Sequence, residues 1–265
     1  MIRKIFILAV FAFLPLSSYA ATINGSIDAG EYQWNTHGSE GSDKWKTFSR
    51  EGQADEEYDD ASGGNDWDIN YLGTNISAGQ FQFGAIGGNI LSGRETGSSH
   101  VTGEGIFLSD FALGFNTSSD PTIDASGFEY AIRLMGVDDS TGEATFNLLS
   151  GGTWAGADIY NGMYAQQHKT AIYKMVDATE VKQFTGKWAP NGGGDNVLEA
   201  SFDLNWLSLF DLDQGGRLST YLTMACVNDE VMVHADIAPV PLPAALWLLS
   251  PALIGFMGLR RRLKS

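Results

Sequence analysis

Along Leu198–Trp206 the chain alternates at every step. Leu198, Ala200, Phe202, Leu204 and Trp206 are apolar, and Glu199, Ser201, Asp203 and Asn205 between them are polar. Successive side chains of a strand point to opposite faces, so this period of two predicts a strand with one buried and one wet face, Trp206 included in the core. Similar runs predict strands at Trp67–Thr74, Gln80–Gly88, Gly105–Phe115, Phe128–Val137 and Glu143–Leu149. Ala171–Gly186 holds one long strand or a pair. "RLSTYLTMACV" and "EVMVHADIA" flank Asn228-Asp229, whose side chains favour a hairpin turn. Gly-Gly pairs at 63–64, 87–88, 151–152 and 215–216, with the triple Gly192–Gly194, mark further turns. Between the two ends of the chain no stretch sustains a helical period. The pattern therefore predicts an all-β body over 21–238, an antiparallel β-sandwich of the jelly-roll kind. Residues 38–65, polar and poorly periodic, read as a long acidic surface loop.

The two ends break this pattern. Met1–Ala20 carries Arg3 and Lys4, then the apolar run Ile5–Leu16, then Ser18-Tyr19-Ala20. A charged start, a short apolar stretch and small residues before the cut describe a secretory signal peptide, with cleavage expected between Ala20 and Ala21. At the other end, Ala244–Leu259 is apolar apart from Ser250. With Val240–Pro243 it reaches the roughly 20 residues that a membrane-spanning helix needs. Arg260, Arg261, Arg262 and Lys264 follow at once. Cations beside a span stay on the cytoplasmic side, so the body would lie outside the inner membrane and the basic tail 260–265 inside. Pro241 and Pro243 withhold backbone donors and keep the chain extended just outside that span, a form that a processing enzyme can thread.

Val240-Pro241-Leu242-Pro243-Ala244, one hydrophobic helix and a terminal Arg cluster together resemble the PEP-CTERM class of bacterial sorting signals, in its VPLPA-CTERM form. The resemblance implies export, a transient stay in the inner membrane, and cleavage near the Pro motif by an exosortase. It further implies a place at the cell surface or in an extracellular matrix rich in exopolysaccharide. Leu242 stands where that class usually has Glu, which leaves the processing enzyme open. "TMACVNDEVMV" resembles the stretch that often precedes such signals, with Val227 in place of the usual Gly. In the body, "INGSIDAGEY" (Ile23–Tyr32) with "FEYAIRL" and "LEASFDLNWL" resembles the CBM9-like and DOMON-like carbohydrate-binding domains. That likeness implies a jelly-roll sandwich that binds sugars or haem, in some members with a structural calcium.

Charge narrows the partners. Two of the 16 Lys and Arg lie before Ala21 and four after Leu259, whereas all 32 acids lie between, so the body carries a net charge near −22. Such a surface disfavours nucleic acid and anionic membranes, and repels acidic polysaccharide unless divalent cations intervene. The lone Cys226 cannot form an intramolecular disulfide, and its period-two face, shared with Leu218, Leu222 and Met224, makes it a buried thiol.

No catalytic motif stands out. The histidines His37, His100, His168 and His234 fall in no zinc-binding spacing, and no nucleophile elbow or phosphate-binding loop is present. Asp55, Glu57, Asp59 and Asp60 crowd one loop and are candidate calcium ligands, although the spacing is not that of an EF-hand and a solvated acidic loop is the default. Asp138-Asp139 reads as turn residues. In "GGTWAGADIYNGMYAQQHK", Trp154, Tyr160 and Tyr164 stand among small and amide residues in a loop-like stretch. They are candidate sugar-stacking rings, weighed against rings that merely pin a loop to the sandwich. The sequence points to an exported, exosortase-processed protein, non-enzymatic and associated with or binding exopolysaccharide, that needs no cofactor beyond optional calcium. The alternative is a secreted polysaccharide hydrolase on a jelly-roll scaffold.

Overall fold

The structure, a computed structural model, describes residues 20–28, 31–32, 34–36, 69–94, 107–115, 126–156, 172–208, 215–225 and 230–237, with 34–36, 230 and 236 as backbone only. Residues 1–19 of the expected signal peptide, the expected loop 38–65, Cys226, and the expected C-terminal sorting segment 240–265 lie outside the described residues. Among the described residues, no helix is long and apolar enough to cross a membrane.

Among the described residues there are twelve strands: β1 (Trp34–Thr36), β2 (Ile69–Ser77), β3 (Gln80–Gly87), β4 (Phe111–Phe115), β5 (Tyr130–Asp138), β6 (Glu143–Ser150), β7 (Thr153–Gly156), β8 (Ile172–Val176), β9 (Thr179–Gly192), β10 (Asp195–Asp203), β11 (Gly216–Thr223) and β12 (Glu230–Ile237). Ten of them form one antiparallel sheet in the order β1-β2-β3-β10-β9-β6-β5-β4-β11-β12, and β7 pairs with β8 apart from it. The edge strand β12 packs against β1 and β2, so the sheet curls until it is nearly closed around one core. All-β, antiparallel, sandwich-like architecture follows from the two-residue period, because a curled sheet buries every second side chain in its interior.

That interior is aromatic. Phe83 lies 4.9 Å from Phe111 and 5.5 Å from Phe146, ring centre to ring centre, and Phe184 lies 5.3 Å from Phe202. Ile69, Leu72, Leu113, Ile132, Leu198 and Leu222 fill the space around them at zero or 1% exposure or less.

Two covers lie on the outside of the sheet. Ala21, Ile27 and Tyr32, from the segment before β1, pack on Tyr71 and Ile86 of β2 and β3. On the opposite part of the sheet, Ile172, Met175 and Trp154 of β7 and β8 pack on Ala112, Ala131, Leu149, Tyr221 and Met232.

Several sequence-based expectations change in detail. The wet face of β10 is not wet at Glu199, which is fully buried, because the N-terminal segment lies over it. The alternation through Trp206 does not continue as strand. Asp203 accepts from the backbone N–H of Asn205 and starts a 3-10 helix, Leu204–Leu207, which leaves Trp206 half-buried with its ring stacked 6.0 Å from Phe202. The loop-like stretch begins with a strand, β7. Ala171–Gly186 resolves into β8 and β9, turning at Asp177 with φ 53°, and β9 runs on to Gly192. The strand expected at Trp67–Thr74 extends to Ser77 and turns back through Ala78 and Gly79, both at positive φ, into β3. Within the expected strand Gly105–Phe115, the described residues 107–115 form a strand at Phe111–Phe115, with Leu108 bridging to Met224.

Candidate binding cleft

At one end of the sheet three connections converge: the 3-10 helix Asn89–Ser92 after β3, the β5–β6 turn, and the β9–β10 hairpin. Between them lies a cleft of about 590 Å³ whose lining includes Asn89, Arg94, Trp188, Pro190, Asp195 and Asn196. Local chemistry fixes each wall. Gly192, Gly193 and Gly194 all take positive φ, which lets the hairpin turn tightly and keeps side chains off the mouth. Asn196, 5% exposed, donates to the Gly88 carbonyl at 3.1 Å and so ties β10 to the start of the 3-10 helix. The Trp188 backbone N–H donates to the Gly142 carbonyl at 2.9 Å, joining β9 to the β5–β6 turn. Within that turn Asp138 accepts from the backbone and hydroxyl of Ser140, at 2.8 and 2.6 Å, and these bonds hold its carboxyl below the usual range. Arg94 pairs with Asp139 across the rim, both side chains 57% exposed. Asn70 donates to Asp195 Oδ1 at 3.2 Å. Among the described residues, the buried indole N–H of Trp188 and the buried Oδ1 of Asn70 have no hydrogen-bond partner.

Two buried carboxylates hold the outer covers, and each is a site in the chemical sense. Glu199 Oε2 accepts from the backbone N–H groups of Asn24 and Gly25 at 3.2 and 2.7 Å, and Oε1 accepts from Tyr32 Oη at 2.9 Å. Burial pushes the Glu199 carboxyl above 4.5, against the pull of the Gly25 N–H and the Tyr32 hydroxyl. The Tyr32 hydroxyl is raised far beyond the usual tyrosine value, by burial first and then by the Glu199 charge. Tyr71 beside it is pushed up to about 12, by burial and then by Glu31. Ala21, at the expected signal cleavage point, is held both ways by Gln82: its N–H donates to Oε1 at 2.9 Å and its carbonyl accepts from Nε2 at 2.7 Å. Ala20 is exposed.

At the second outer cover, Asp110 takes a two-pronged pair from Arg133, Nε to Oδ1 at 2.8 Å and Nη2 to Oδ2 at 2.7 Å. The Met175 N–H donates to Asp110 Oδ2 at 2.8 Å, and Arg133 Nη2 donates to the Met175 carbonyl at 2.6 Å. The pair thus grips β8 by both polar groups of one residue. Hydrogen bonding to Asp110 raises the Arg133 guanidinium, so the arginine stays charged.

Of the three sequence-predicted ligand rings, the structure describes one. Trp154 is half-buried on β7 and donates its indole N–H to the Phe128 carbonyl at 2.8 Å, while Tyr160 and Tyr164 lie outside the described residues. The candidate calcium ligands Asp55, Glu57, Asp59 and Asp60 also lie outside them, and among the described residues no group of three or more His, Cys, Asp or Glu stands together as a metal site. His234 Nδ1 meets Ser219 Oγ at 2.8 Å from the facing register position, but Ser219 is fully buried. This pair braces two strands and offers no hydroxyl to solvent. The sequence reading overlooked the Trp188 cleft, whose available signal was an aromatic and a proline beside the Gly192–Gly194 turn and Asp195-Asn196. Compared with known proteins, the chain matches no family model, no curated protein and no solved structure.

Proposed function

We propose that this protein is exported, held briefly in the inner membrane by its C-terminal helix, and cut by an exosortase near Val240–Ala244 to reach the cell surface or extracellular matrix. There it acts as a non-enzymatic, exopolysaccharide-associated or carbohydrate-binding protein. The observation that carries this reading is the C-terminal sequence itself: a Pro-rich motif, an apolar run long enough to cross a membrane as a helix, and a basic end, in that order. The all-β body supports it as a scaffold for a binding surface, and its sequence carries no catalytic motif. We further read its topology as jelly-roll-like. In support, β3 pairs with β10 and β4 with β11, so the chain crosses the sheet twice between strands that are not neighbours.

The experiment is substitution of both motif prolines in the native host. Pro241→Ala with Pro243→Ala should leave the full-length chain in the inner membrane while the parent appears outside it. Equal release of both would overturn the sorting part of the reading. Incubating the parent with the host's polysaccharide separates binder from hydrolase: retention without new reducing ends supports the binder, and new reducing ends support the hydrolase.

A further inference from the structure

The cleft at the β9–β10 hairpin has properties that point to one ligand chemistry. Its volume, about 590 Å³, falls in the roughly 300–1,000 Å³ range of small-molecule sites. Trp188 and Pro190 give the cleft apolar lining, and Asn89, Asp195 and Asn196 give it polar lining of both donor and acceptor kinds. Hydroxyl groups pair with both kinds from one atom, which neither a carboxylate nor an ammonium does. The charges point the same way. Arg94, a cation in the lining, is already paired with Asp139, and Asp195 adds a carboxylate, so among the described residues the cleft has no spare positive charge for an anionic group. The body as a whole is strongly acidic and disfavours anions further.

We propose that this cleft binds a neutral sugar unit of a glycan, with Trp188 giving the apolar wall and Asp195 accepting from ligand hydroxyls. The assignment rests on the glycan-associated reading above and gives it a place on the molecule. Trp188 and Asp195 come from opposite strands of one hairpin, and Asn196 and the Gly142 carbonyl hold that hairpin in position. The site is therefore formed before the ligand arrives, which reduces the ordering cost of binding.

The test uses the full chain, purified in a detergent without a sugar headgroup. It is titrated by calorimetry with neutral gluco-, manno- and galacto-oligosaccharides, with an oligogalacturonate of matched length, and with the host's own polysaccharide. At least one neutral oligosaccharide should bind, and the acidic one should bind more weakly. Trp188→Ala removes the apolar wall, and Asp195→Ala removes the acceptor at the exposed hairpin. Each should weaken neutral-sugar binding about tenfold. Thermal melting of both variants shows whether they remain folded, and Asp195→Ala alone suffices if the tryptophan variant does not. Tighter binding of the acidic oligosaccharide would overturn the neutral-sugar assignment. Undiminished binding of host polysaccharide by folded variants would overturn the cleft assignment and leave the glycan-associated reading standing. Failure of the parent to bind any glycan would overturn both.

Discussion

The hydroxyl of Tyr32 meets Glu199 Oε1 at 2.9 Å across 167 residues of chain. With the backbone N–H groups of Asn24 and Gly25 on Oε2, that carboxylate holds the N-terminal segment to the outside of β10. Glu199→Ala would leave the buried Tyr32 hydroxyl and two part-buried backbone N–H groups without their acceptor. The expected loss is about 2 kcal/mol in urea unfolding, against about 1 kcal/mol for Tyr32→Phe. Equal, negligible losses would mean that the segment adds nothing to the fold.

The same contact has a pH signature. The folded carboxyl of Glu199 titrates above its ordinary value of 4.5 because it is buried. The folded state therefore binds this proton more tightly than the unfolded state does. The resulting stabilisation is complete below the unfolded value and is lost as pH rises through the raised folded one. Glu199→Gln cannot ionise, so the parent should lose stability relative to this variant as pH climbs from about 4 through that window. A difference that stays flat with pH would contradict the assignment.

Arg133 and Asp110 make a buried pair of a different kind. Asp110's side chain is 1% exposed and Arg133's 32%. Removing the arginine strands a buried charge, for which costs of roughly 3–5 kcal/mol are usual. Partial exposure of Arg133 reduces that, so Arg133→Ala should cost about 2–3 kcal/mol. Hydrogen exchange localises the effect: the Met175 amide, which donates to Asp110, should lose protection before the β3 amides do. Uniform loss across the sheet would argue against a local clamp for β8.

Gly84 reports on packing alone. A Cβ built there would lie 2.7 Å from the Tyr32 ring and 2.8 Å from Ile27 Cδ1, closer than carbon atoms approach. Gly84→Ala should push the N-terminal segment off β3 and cost about 1–3 kcal/mol. Combined with Glu199→Ala the two losses should fall short of their sum, because both act on one contact. Full additivity in a double-mutant cycle would show that the two positions act separately.

The sequence made the strands legible wherever one face is apolar, as at Gln80–Gly88 and Leu198–Phe202. It failed at Glu199, because alternation assigns a polar residue to solvent and says nothing of a distant segment that covers it. It failed also at Leu204–Trp206, where the apolar alternation continues but Asp203 caps a 3-10 turn, so period and local capping disagree and capping wins. Trp154 was legible as an aromatic on a glycine-rich stretch; that it bonds the Phe128 carbonyl depends on a residue 26 positions away. The cleft was missed for the same reason. Trp188 and Asp195 are near in sequence, but Asn70 and Arg94 arrive from β2 and from the segment after β3, and no local pattern brings those together.

The central claim concerns what becomes of the two ends, and intact mass answers it. The protein should be isolated from its native host, fraction by fraction, and weighed. A cell-surface or released form that begins at Ala21 and ends near Pro243 is the predicted result. A chain found only in the inner membrane, with Val240–Ser265 still attached, would contradict it.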